Sequence, residues 1–324
     1  MSAYASRPLV FIFTSILFAS PAAALADPSP QIVDCSLGDS IQNAVANGNR
    51  NQPLALLIRG TCVGNVEISR DDVTLQGDGA TITGSITVNG GQRVVIAALT
   101  ISNPAGNGIT ITNGSSATIE GNEINDNGAY GLFVRHASFA IVNNNRMLRN
   151  GIVVPPIDPD ASGMAVAQGS MVRAAGNHMA DNLNSGVEVF DNSTYRSEGD
   201  TIAMRNAGPI GRSAVDTFRA GHADLRNVSV HGRIFVNQQS QLQVRNAGSG
   251  QSTLAGTIDV AQLSYLRLRA GILRDFLLFG SCAALSVCQC DTPTGSAPCP
   301  GVVLPGPAPE PVPAPAPVPT IPPV

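Results

Sequence analysis

The chain has 324 residues, with 19 basic and 23 acidic side chains giving a formal net charge of −4, and every basic residue is arginine. That balance argues against a nucleic-acid partner, and the lack of lysine excludes a lysine base, nucleophile or Schiff base. Aromatic residues make up 4% and tryptophan is absent, too little for a large conventional core; the abundant Gly, Asn, Ser, Thr and small β-branched residues suit many short strands and tight turns.

Residues 1–26, "MSAYASRPLVFIFTSILFASPAAALA", carry Arg7, an apolar run over 9–18 and a small-x-small Ala24-Leu25-Ala26. This is the pattern of a cleaved secretory signal, and the run is too short to span a bilayer. The protein is therefore expected to be secreted, periplasmic or on the cell surface, and not membrane-spanning once the signal is removed. In such an oxidising compartment Cys35, Cys62, Cys282, Cys288, Cys290 and Cys299 read as disulfides. The simplest partition is Cys35–Cys62 with two bridges among the last four, whose pairing stays open. A zinc reading of "CAALSVCQC" finds no histidine nearby. Within an N-terminal cap over 27–64, "GDSIQNAVANGN" offers Asp39 or Ser40 as helix N-cap, Ile41 and Val45 one turn apart, and Gly48 as terminator.

From residue 65 to 280 the chain repeats. "GLFVRHASFAIVNNNRMLRN", starting at Gly131, lies without a gap on "GITITNGSSATIEGNEINDN", starting 23 residues earlier at Gly108. Copies start again at Gly163 and Gly186, so the spacings are 23, 32 and 23. The long one accommodates "GIVVPPIDPDAS". Each unit reads as three short strands: an apolar-x-apolar pair after the glycine puts two side chains on one face. No repeat has helical periodicity, and the Leu-x-x-Leu-x-Leu core of a leucine-rich repeat is missing. Gly121-Asn122, Asn144-Asn145 and Gly176-Asn177 supply the corners. Stacked coils align Asn122, Asn145 and Asn177 in a file of amides and Ser115, Ser138, Ser170 and Ser193 in another.

This pattern resembles the right-handed parallel β-helix repeat proteins of the pectate-lyase-like superfamily. The resemblance implies an all-β fold: a single-stranded right-handed parallel β-helix of about nine coils with a short N-terminal capping helix. A Cys-rich segment over 281–300 is expected to cap the other end. Residues 301–324 alternate Pro and Ala and read as a Pro-rich disordered tail of extended polyproline type, the alternative being a spacer that holds the solenoid off a cell surface.

In that superfamily pectate lyases, polygalacturonases and uronan epimerases hold acidic polysaccharide across one face of the solenoid. Outward positions of this chain place Arg135 and His136 two coils from Glu188 and Asp191, roughly 10 Å along the axis at ~4.8 Å per coil. These four are the candidate acid, base and uronate-pairing groups. Phe133 and Phe190 are candidate sugar platforms, and Asp158 and Asp160 in the long insertion are candidate ligand-binding carboxylates. No cofactor is evident; calcium is expected only if the protein is a lyase. The family's catalytic motifs are incomplete, however. Asp71-Asp72 is the only Asp-Asp and reads as a turn, Gly221-His222-Ala223 lacks a second glycine, and "IDPDAS" lacks a histidine. Apolar-Arg-Asn triplets at 148–150, 204–206, 225–227 and 244–246 read as turn-forming asparagines carrying solvated arginines, the alternative being basic sugar-binding rungs. The expected function is binding of polysaccharide or other envelope material without evident catalysis, the alternative being a lyase, uronate epimerase or glycoside hydrolase.

Overall fold

A computed structural model describes residues 29–151, 161–203, 213–269, 272, 277–282, 286–292 and 295–299. The signal segment, Asp158 and Asp160, the 204–206 triplet and the Pro-rich tail lie outside these residues.

The apolar-x-apolar strands stack as the repeat demands. Ile109–Thr112, Leu132–Val134, Met164–Val166, Ser185–Phe190 and Ser213–Phe218 are successive rungs of one parallel sheet, here the front sheet. Ser116–Glu120, Phe139–Asn143, Met171–Ala175, Thr194–Glu198 and His222–Arg226 build the back sheet. Glu123–Asn125, Arg146–Leu148, His178–Ala180 and Thr201–Ala203 build a narrower side sheet. The chain winds front, back, side and front again as a right-handed parallel solenoid, the hand that crossovers between parallel strands take. Val134 lies over Ile111 and Met147 over Ile124. The front sheet has ten rungs among the described residues, against an expectation of about nine. The last two come from the irregular C-terminal stretch, where Thr253–Val260 pairs with Leu277–Cys282 across a register shift.

Alternation along each strand fixes what is inside. Ile109, Ile111, Leu132, Val134, Val187 and Val189 are fully buried in one continuous core. Polar order supplements it at the corners. Asn122 Nδ2 donates to Asn145 Oδ1 at 2.9 Å, Asn145 Nδ2 to Asn177 Oδ1 at 3.0 Å, and Asn177 Nδ2 to Asp200 Oδ1 at 3.0 Å. A second ladder, Asn127 to Asn150 to Asn182, runs through the next corner at 2.7 and 2.9 Å. The serine file takes backbone donors from the preceding rung, as in Ser138 N to Ser170 Oγ at 3.1 Å.

The N-terminal end is covered. The helix Ile41–Asn47 is capped by Ser40, whose hydroxyl accepts from Asn43 N at 3.3 Å, and it buries Ile41 and Val45 against the first coil. Cys35–Cys62 ties this segment to the body. At the far end Val287–Thr292 turns back antiparallel onto Gly295–Pro298. There the structure selects Cys282–Cys288 and Cys290–Cys299 from the three open pairings. No helix among the described residues is long and apolar enough to cross a membrane.

Candidate functional site

Outward side chains of the front sheet fall into files because the register is strict. One file reads Thr110, Phe133, Ala165, Glu188, Asp216 and Phe235. Glu188 and Asp216 therefore stand directly opposite on adjacent strands, about 4.8 Å apart at the backbone. Phe190 and Phe218 are opposed in the neighbouring file.

Glu188, Asp216, Phe190 and Phe218 line a pocket of ≈ 470 Å³ at the front face, and Tyr130, Asn184, Arg219, Phe235 and Asn237 complete its wall. Glu188 is only 2% exposed, and a buried carboxylate needs donors. Ser162 Oγ and Asn184 Nδ2 each donate to its Oε1 at 2.5 Å. Phe190 and Phe218 stack with centroids 4.8 Å apart and planes 7° from parallel. The Arg219 guanidinium lies over both rings and pairs with Asp191 at 3.0 Å. Arg219 and Asp191 occupy equivalent left-handed positions, φ 49° and 53°, in the turns that leave the front sheet. Further along, Arg233 covers the Phe235 ring and pairs with Asp259 at 2.7 Å.

The structure brings some of the expected residues together and separates others. Glu188 and Phe190 line the pocket, with Asp191 at its edge through Arg219. Phe190 is 9% exposed, stacked on Phe218 with Arg219 beside the ring pair, so it forms wall rather than open platform. Arg135, His136 and Phe133 lie two rungs away, outside the pocket lining. The intervening rung presents Ala165 and Ala167, both buried in a small apolar cluster with Ala129, Tyr130 and Ala161. Arg135 sits over the Phe133 ring at 5.1 Å, and Phe133 packs on Tyr130. His136 is exposed in a left-handed turn, its Nδ1 2.8 Å from Thr112 Oγ1. Asp158 and Asp160 lie outside the described residues. Asp71-Asp72 is a turn, with Asp72 at φ 58° and paired to Arg93 at 2.6 Å; that hydrogen bond holds the Asp72 carboxyl below its ordinary range. Among the described residues no three His, Cys, Asp or Glu side chains converge as a metal site.

Asp216, Phe218, Arg219 and Phe235 were not grouped with Glu188 by the sequence pattern. A signal for them exists: "SGVEVF" at 185–190 and "SAVDTF" at 213–218 match at serine, valine, acid and phenylalanine. The spacing of 28 between them, in place of 23, hides the match from a fixed period.

A family model described as the right handed beta helix region matches residues 55–250. No curated protein matches. Among solved structures the chain is similar to pectate lyase Pel9A, with 13% identity over 77% of this chain and 78% of that one and a TM-score of 0.51. A pectin methylesterase mutant in complex with hexasaccharide IV shares 10% identity over 86% of this chain and 88% of that one, with a TM-score of 0.38. At 13% identity the likeness to the lyase is one of fold.

Proposed function

The chain belongs to the right-handed β-helix family, and on that premise we propose that it is an exported protein that binds polysaccharide along its front sheet. The observation that carries this reading is the pocket of ≈ 470 Å³ gathering Glu188, Asp216, Arg219 and Asn237 beside Phe235. Saccharides present hydroxyls that pair with carboxylates, amides and guanidinium groups, and C–H faces that pack on aromatic rings. Here both kinds of group project from one rigid sheet, and the sheet continues above and below the pocket for a polymer to follow. Three disulfides and the signal-like segment support a location outside the cytoplasm.

The test is calorimetric titration of the full chain with acidic and neutral plant and bacterial polysaccharides. Phe235→Ala and Asp216→Asn are expected to weaken binding by about tenfold each, the scale of one lost ring contact or charged hydrogen bond. Binding unchanged in both variants removes the site.

A second reading rests on one observation, the in-register pair Glu188 and Asp216. Neighbouring carboxylates in one pocket can divide into a proton acceptor and a proton donor. Turnover would then appear as unsaturated or shortened products from uronate polymers, assayed with and without calcium. Glu188→Gln is expected to abolish such turnover while binding persists; activity surviving in this variant excludes the pair as the catalytic groups.

A further inference from the structure

We propose that the back sheet carries a second binding surface, for a carboxylate-bearing acidic polysaccharide laid along the solenoid axis. It lies on a different sheet from the front pocket and does not rest on the reading of that pocket.

Strict register makes files of outward residues here too. Arg173, Arg196 and Asp224 succeed one another in one file, and Glu198, Arg226 and Arg245 in the next. At the third rung the charges are balanced within the protein. Asp224 pairs with Arg226 at 3.1 Å and with Arg245 at 2.7 Å. Burial opposes its charge, yet hydrogen bonds from Arg245 and Arg226 hold its carboxyl below the ordinary range.

The first two rungs are different. Arg173 and Arg196 are directly opposed on adjacent strands, both are exposed, and no carboxylate of the described residues pairs with either. Like charges directly opposite one another destabilise a sheet. Asp224, one rung further in the same file, shows that the fold accommodates an acid at this position. The Arg173 guanidinium is held 5.8 Å over the Phe139 ring. Between Arg173, Arg196 and Arg226 the surface sinks into a concavity of about 260 Å³ with Glu198 on its lining. An anion seated there relieves the repulsion and meets planar, fork-shaped donors suited to carboxylates.

The shape of the surface favours a polymer over a single small anion. The guanidinium groups of Arg173 and Arg196, unpaired among the described residues, stand on successive rungs about 4.8 Å apart, comparable to the length of one pyranose unit, so two neighbouring carboxylates of a chain with one carboxylate per sugar can meet them in step. A nucleic acid fits less well. Single-stranded binders use open aromatic faces for base stacking, and the ring beside this pair, Phe139, is covered by Arg173. The arginines also form a basic patch on a chain whose formal net charge is −4, so attraction to a polyanion is local to this face.

The experiment is titration of the full chain with sodium polygalacturonate, fully methyl-esterified pectin, double-stranded DNA and phosphatidylglycerol vesicles. The expected result is binding to polygalacturonate that weakens as salt rises and falls about tenfold in the Arg173→Ala/Arg196→Ala double variant. Arg173→Lys/Arg196→Lys keeps the charge and is expected to retain part of the affinity. In an Asp216→Asn/Phe235→Ala background, which removes the front pocket's contribution, the loss caused by Arg173→Ala/Arg196→Ala is expected to persist, which separates its fate from that of the front pocket. Melting curves check that each variant folds; if the double alanine variant does not, Arg196→Gln alone gives the same readout. The proposal is overturned if the double variant binds polygalacturonate as the parent does. Equal binding of the esterified polymer, or tighter binding of DNA or vesicles, overturns it as well.

Discussion

Asp200 stands where the repeat asks for asparagine, and its surroundings explain the exchange. It ends the ladder begun at Asn122, and the next rung offers Val228 in place of another amide. An asparagine in the ladder uses its second hydrogen on the following rung; Asp200 instead turns Oδ2 to Tyr195 Oη at 2.5 Å and Ser197 Oγ at 2.6 Å. Burial pushes the Asp200 carboxyl above its ordinary value of 3.8, with the hydrogen bonds from Ser197, Tyr195 and Asn177 acting in the opposite direction. Burial, followed by the adjacent Asp200, also pushes the Tyr195 hydroxyl upward. Because the folded form holds the Asp200 proton more tightly than the unfolded chain, this group favours folding fully below pH 3.8, and that contribution is lost as pH rises through the folded value. Asp200→Asn is expected to flatten this part of the stability profile, measured as Tm from acid to neutral pH. An unchanged profile would remove Asp200 as its source. The Asn122, Asn145 and Asn177 file is legible from spacing alone. Asp200 is not, because its role depends on what the next rung lacks.

At the scale of the strand and its turn, the glycine that recurs at 108, 131 and 163, opening successive front-sheet rungs, has a packing cause. The second asparagine ladder passes directly beneath it. A Cβ on Gly131 would come within 2.6 Å of Gly163 O and 2.7 Å of Asn150 Nδ2, and Gly163 meets Gly186 O and Asn182 Nδ2 in the same way. Gly131→Ala is therefore expected to cost about 1–3 kcal/mol by forcing the ladder aside, read from denaturant midpoints. Asn150→Leu is expected to cost about 2–4 kcal/mol, because it strands the amide of Asn127 and leaves Ile124 O without its donor. A cost near zero in both would mean that the ladder is incidental to the corner. The glycine and both asparagine positions are visible in the repeat; that one excludes a side chain for the sake of the other emerges only when coils are stacked. The apolar-Arg-Asn triplets likewise show their partners only in the fold, where Arg149 pairs with Asp126 at 2.7 Å and Arg226 and Arg245 share Asp224.

For the molecule as a whole, a solenoid is stabilised by contacts between neighbouring coils, so its ends matter more than their size suggests. The Cys35–Cys62 bridge closes a separation of 27 residues across the N-terminal cap. Replacing both cysteines by serine is expected to lower stability by about 3 kcal/mol. Hydrogen exchange should then show early loss of protection in Leu54–Arg59 and Val66–Ile68, ahead of the central rungs. Uniform loss along the solenoid would show that the cap does not act locally.

The solenoid, the register of its regular coils between residues 108 and 202, their inward residues and the N-terminal bridge were legible in the sequence, because strand alternation and coil period are set by local pattern and repeat at every turn. Which outward groups meet across irregular coils emerges only in the fold. Glu188 and its two-coil distance from Arg135 and His136 follow from the repeat, but its neighbour Asp216 is displaced by an irregular spacing and meets it only in the fold. The C-terminal pairings Cys282–Cys288 and Cys290–Cys299 were settled in the same way. Neighbourhood across rungs depends on loop lengths and on what each intervening coil presents, and no single coil encodes either.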